Sequence, residues 1–160
     1  MEHEGLRTYL NDHLGGASGA LQLLQHLADS AESPTDKQFF LGLHAEISED
    51  NQILKGLIEK TGKQPSGLRQ AGGWIAAKVG QLKLAVDNPA AGTLDYFEAL
   101  EVLALGILGK RALWRALSTV AHLPELQGLD LPQLEARALG QHERVEARRV
   151  AAAPHALTTR

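Results

Sequence analysis

Residues 33–62 read SPTDKQFFLGLHAEISEDNQILKGLIEKTG, and this stretch decides the fold. Ser33 can accept a hydrogen bond from the backbone of a first helical turn. Pro34 suits that turn, and Asp36 stands three residues after Ser33, at the end of a capping pattern. Phe40, Leu43, Ile47, Leu54 and Ile58 then recur at helical spacing, so one side of the helix is apolar and must be covered. Gly62 can end it. The pattern predicts a helix over about 33–61 whose stripe packs against other helices.

Outward from that helix, the chain repeats the pattern. On the N-terminal side a helix is predicted over about 6–30, with Leu21, Leu24, Leu27 and Ala28 on its stripe. Its middle reads Leu14-Gly15-Gly16-Ala17-Ser18-Gly19-Ala20. Each glycine costs about 1 kcal/mol relative to alanine in a helix, so something must offset the run. Close approach of a neighbouring helix is expected, a bend or frayed turn being the alternative. On the C-terminal side, residues 63–92 form a long crossover with breaks at Gln64-Pro65-Ser66-Gly67 and at Asp87 to Gly92. Between the breaks, Leu68, Ile75, Val79 and Leu82, with Trp74 beside them, predict a short helix over about 68–84.

A third long helix is predicted over about 94–121, capped by Thr93 or Gly92. At about 100° per residue, Tyr96, Leu100, Leu103, Ile107 and Trp114 share one face. Leu94, Leu105 and Leu108 lie opposite, with Glu98 and Glu101 among them. A helix this apolar should be covered all round, by the crossover helix and by a second subunit. After Leu123-Pro124, a fourth helix is predicted over about 131–153, with Asp130 as cap and Pro154 as stop. Leu131, Leu134, Ala138, Val145 and Ala152 form its stripe, flanked by His142 and Arg149, and residues 155–160 are expected to be loose. Four long amphipathic segments without a convincing strand give an all-α, single-domain, up-down four-helix bundle over 1–160, with a long crossover carrying a short helix.

Composition narrows the function classes. The 160 residues hold 44% hydrophobic and 22% charged side chains, ordinary values for a globular domain. Without cysteine there is no disulfide, thiolate metal site or thiol nucleophile. The opening Met1-Glu2-His3-Glu4 lacks the basic-then-apolar pattern of a secretory signal, so a cytoplasmic location is expected. A net charge of −3 gives no broad attraction to nucleic acid. Arg69, Lys78 and Lys83 make the crossover helix basic, but covering the bundle is a sufficient role for it, and no membrane contact is expected. Ser18 and Ser118 have no evident histidine partner, and no glycine-rich loop follows a strand, so no catalytic residue is assigned.

Two stretches carry a resemblance. Residues 33–62 are similar to the second helix of the YciF-like branch of bacterial ferritin-like stress proteins, and residues 94–106, LDYFEALEVLALG, resemble its third. The resemblance implies a ferritin-like bundle, a bacterial stress-associated protein, and a metal pair held by inward carboxylates and Glu-x-x-His motifs. It sets a glutamate at Glu46, a histidine where this chain has Asp50, and Glu-His-Tyr-Glu where it has Glu98-Ala99-Leu100-Glu101. No Glu-x-x-His occurs in this sequence. Helix two offers Glu46-x-x-Glu49 instead, helix one has Gly16 to Gly19 at that level, and helix four brings Arg148 and Arg149.

Two readings of these residues follow. In one, Glu46, Glu49, Glu98, Glu101 and His142 hold an iron or manganese pair. In the other, which is adopted, no cofactor is bound, and Glu46, Glu98, Glu101 and Arg149 form a salt-bridged polar core layer, because unpaired buried carboxylates are costly. His142-Glu143-x-x-Glu146 is read as surface charge, and His13, His26, His44 and His122 as surface or boundary residues. The expected role is therefore a non-catalytic structural or binding protein, a homodimer through the third helix or the crossover. A third possibility is a small apolar ligand in a gap lined by Gly15, Gly16 and Gly19.

Overall fold

The computed structural model describes residues 3–62 and 90–159. Among them are four long helices, one short 3-10 turn and no strand: α1 Glu4–Asp29, α2 Pro34–Lys60, α3 Leu94–Ser118 and α4 Leu131–Thr158, with the turn at Pro124–Leu126 before α4. The helix expected over 68–84, with Trp74 and its basic residues, lies outside the described residues.

The caps are the ones the sequence marks. Ser33, Thr93 and Asp130 each accept a hydrogen bond from the backbone N–H three residues on, at Asp36, Tyr96 and Gln133, satisfying one of the open donors of a helix start. Gly62, just past α2, has φ +82°, a left-handed conformation that glycine adopts without strain.

Two boundaries differ from expectation. The third helix ends at Ser118 rather than 121. There Thr119 and Val120 turn their N–H groups to the carbonyls three residues back, and this tightening closes the helix. The fourth helix runs through Pro154 to Thr158 instead of stopping at 153. Proline removes one N–H from the ladder, but Val150, four residues earlier, is 56% exposed, so its turn lies open to water. The last turn is anchored beyond the proline: Ala156 is buried, and His155 packs so closely over Gly92 that a Cβ there would come within 2.6 Å of the imidazole. Residues 155–158 are thus helical rather than loose.

A single apolar core draws on all four helices, including Leu10, Leu14, Leu24 and Leu27 from α1, Phe40, Leu43, Leu57 and Ile58 from α2, Leu100, Leu103 and Trp114 from α3, and Ala138 and Val145 from α4. Each large side chain contributes about 1.5–3 kcal/mol by leaving water. Helix α1 packs on α2 and on α3, and α3 packs on α4. Phe40 stacks edge-on against Tyr96 at 6.2 Å, and Asp50 meets Lys110. Residue numbers rise together along both helices, so α2 and α3 run parallel. Arginines of α4 reach α2 in the opposite order, Arg137 to Glu49, Arg144 to Glu46 and Arg148 to Asp36, so these two run antiparallel. Arg148 also lies 3.9 Å over the Phe39 ring.

Among the described residues, no helix is long and apolar enough to cross a membrane.

Candidate functional site

The inward stripes of α2, α3 and α4 carry polar residues at Asp50, Lys110 and Gln141, and the three meet. Asp50 is 2% exposed and Gln141 0%. The Lys110 ammonium donates to Asp50 Oδ2 at 2.5 Å and to Gln141 Oε1, and Gln141 Nε2 donates to Asp50 Oδ2 at 3.3 Å. Arg137 adds a second cation, its Nε 3.7 Å from Asp50 Oδ1. Burial pulls the Lys110 ammonium below the usual lysine range, against the attraction of Asp50. Such a group must be paired to stay ionised in a core.

Beside this cluster lies a cavity of ≈ 250 Å³ between α1, α2 and α3. Ile47, Leu54, Ile107 and Leu113 supply apolar wall, and Asp50, Asn51 and Lys110 form a polar corner. Helix α1 contributes Gly16, Ala17 and Ala20, small residues that leave the space open. Trp114 also lines it. Among the described residues, Tyr9 and Asp12 are the exposed ones of the lining and mark the mouth. Two of these wall residues, Asn51 and Trp114, carry buried polar atoms, Oδ1 and Nε1, that have no hydrogen-bond partner among the described residues.

The glycine run therefore does something other than admit a neighbouring helix at Gly16. Helix α1 continues through it without interruption. Apart from its chain neighbours and the backbone of its own helix, no heavy atom of the described residues lies within 4 Å of where a Gly16 Cβ would sit. Gly16 lines the cavity as the ligand-gap reading expects; Gly15 and Gly19 are not among the described lining residues.

His13, expected at a surface or boundary, is a wall residue of the cavity, edge-on to Tyr9 with ring centroids 4.7 Å apart. Burial, outweighing the attraction of Asp12, holds its imidazole below the ordinary value of 6.5. As pH falls, the unfolded chain takes up this proton before the native state does. Stability is then complete above about pH 6.5 and declines below it, until native His13 protonates as well. Urea unfolding between about pH 7 and about pH 5 should show a loss in the wild type that His13→Gln reduces.

The residues expected to form a metal site or a buried polar layer are placed elsewhere. Glu98 and Glu101 lie exposed on the outer side of α3, opposite the face that carries Leu100 and Leu103 into the core. Glu101 is paired with Arg149 at 3.1 Å, and Arg149 binds Glu146 at 2.7 Å, which holds the Glu146 carboxyl below its ordinary range. Glu46 and Glu49 point toward α4, where Arg144 and Arg137 hold them at 2.5 and 2.7 Å. His142 is half-buried on α4. The expected core layer is thus dispersed: Glu46 pairs with Arg144 and Glu101 with Arg149 at the rim, and Glu98 lies exposed outside both pairs. The reason is geometric: Glu98 and Glu101 follow Leu94, Leu105 and Leu108 around the helix, not Leu100 and Leu103.

These donors do not fit a metal pair. Among the described residues, no three histidine or carboxylate side chains converge as ligands. The carboxylates of α2 already face arginine, and an ammonium occupies the centre of the bundle beside Asp50. A cation there would meet Lys110 and Arg137 before it met a second carboxylate.

No family model, curated protein or solved structure matches this chain.

Proposed function

We propose that this protein binds a small, largely apolar organic molecule carrying one uncharged hydrogen-bonding group, held between α1, α2 and α3. The observation that carries this reading is the open, mostly apolar cavity of ≈ 250 Å³ whose wall residues Asn51 and Trp114 each carry an unpartnered buried polar atom. A cavity of about 150 Å³ already accommodates benzene, so this one has room for on the order of ten non-hydrogen atoms. An unpaired buried polar group costs about 1–3 kcal/mol. A ligand hydroxyl both donates and accepts, so it could complete the Asn51 amide or the Trp114 indole as these side chains close on it.

A ferritin-like architecture with a crossover over 63–92 belongs to the same proposal. The parallel course of α2 and α3 supports it, because a chain leaving one end of α2 must return to the other end before α3 begins. A metal-free state is supported by the cations that face the α2 carboxylates. Binding rather than catalysis, in the cytoplasm, is the role proposed, since the amine on the wall is tied to Asp50 and Gln141.

Calorimetric titration with 4-ethylphenol and its methyl isostere 4-ethyltoluene tests the reading. Both should saturate one site, with the phenol about tenfold tighter, the equivalent of one to two net hydrogen bonds. Equal affinities would retain the apolar cavity and discard the polar group. Absence of binding by either at millimolar concentration would discard the site.

A further inference from the structure

The outer face of α3 has a pattern that the cavity does not explain. Leu94, Glu98, Glu101, Leu105, Leu108, Ala112 and Arg115 are all exposed. They follow one another at alternating spacings of four and three, the spacing of a seam between two packed helices. Leu94, Leu105 and Leu108 are 48%, 40% and 37% exposed, three of the few large apolar side chains left in water.

The charges on this seam are arranged in a self-complementary way. Let a twofold axis pass midway between Leu105 and Leu108, with a second α3 running antiparallel. Leu105 then faces Leu108 of the second copy, and Leu108 faces its Leu105. Glu101 faces the small Ala112. Glu98 lies as far to the N-terminal side of the axis as Arg115 lies to the C-terminal side, so the two meet across the seam, twice by symmetry. Both charges have capacity to spare. Among the described residues Glu98 makes no ion pair, while the Arg115 side chain is 73% exposed and touches Glu135 only at 3.9 Å. A parallel pairing would instead set Glu98 against Glu98 and Arg115 against Arg115, which is repulsive at both ends.

We infer that α3 is the contact helix of an antiparallel homodimer, with Leu105 and Leu108 at its centre and Glu98–Arg115 pairs on either side. This assignment is independent of the cavity reading. It also accounts for the charges that flank the leucines of this face: the Glu98–Arg115 pairs fix direction and register where leucine alone would allow several.

Sedimentation equilibrium of the full chain over a concentration series tests it. The wild type should dimerise, and Leu108→Glu, which sets two buried carboxylates near the axis, should leave a monomer with unchanged helical circular dichroism. Glu98→Arg and Arg115→Glu should each weaken the dimer about tenfold, because each change is made twice and turns attraction into repulsion. Combined in one chain, they should restore the dimer to within about threefold of wild type. A wild-type monomer at every concentration, a dimer indifferent to Leu108→Glu, or a double reversal that fails to recover would each overturn the assignment.

Discussion

Lys110→Met is expected to destabilise the protein by about 3 kcal/mol or more in urea unfolding, with little change in the denaturant slope. Methionine matches the lysine stem in length and apolar character, so packing is nearly conserved. What changes is that Asp50, 2% exposed, loses the ammonium 2.5 Å from its Oδ2. Removing one partner of a buried pair leaves the other charge uncompensated, which costs about 3–5 kcal/mol. Arg137, at 3.7 Å from Oδ1, offsets part of this and places the expected value at the lower end. Adding Asp50→Asn to Lys110→Met should recover most of the loss, because a neutral amide can still bond to Gln141 without needing a cation. A single variant as stable as wild type, or a double variant no better than the single, would contradict the account of this cluster.

The second large effect concerns binding. Gly16→Leu should raise folding stability by about 1 kcal/mol, since leucine is the better helix former and the position has open space where its Cβ would lie. The same side chain would extend into the cavity that Gly16 lines. It should reduce affinity for 4-ethylphenol by at least about tenfold, because a filled cavity leaves the ring no room and overpacking it costs about 1–3 kcal/mol. The opposite signs make the variant informative. A general loss of folding would lower both stability and binding. A variant that is more stable yet binds as well as wild type would show that the ligand sits elsewhere.

The helices were legible where local chemistry governs them. Ser33, Thr93 and Asp130 marked three starts, and Gly62 marked an end. Pro154 misled because its penalty is local, whereas Ala156 and the His155–Gly92 contact that hold the last turn are tertiary. The glycine run of α1 was legible as something needing an explanation, but only the surrounding atoms distinguish a close helix from an open space. The polar cluster was within reach of the sequence and was missed. Asp50 lies between Ile47 and Leu54, Lys110 between Ile107 and Trp114, and Gln141 between Ala138 and Val145, each at helical spacing on a buried stripe. Three polar residues on three inward stripes are a signal of a buried network. Glu98 and Glu101 belong to no such stripe, because their angular position places them with Leu105 and Leu108. No local pattern singles out Asn51, Trp114 or His13 as cavity residues, because three helices must assemble before the wall exists.

The ligand cavity is the central claim, and a crystal structure of the protein saturated with 4-bromophenol tests it most directly. The account predicts a single strong bromine anomalous peak enclosed by α1, α2 and α3, with the ring against Ile107 and Leu113 and the hydroxyl directed to the corner formed by Asn51 and Lys110. A peak on the outer surface of the bundle, or none at saturating ligand, would contradict it.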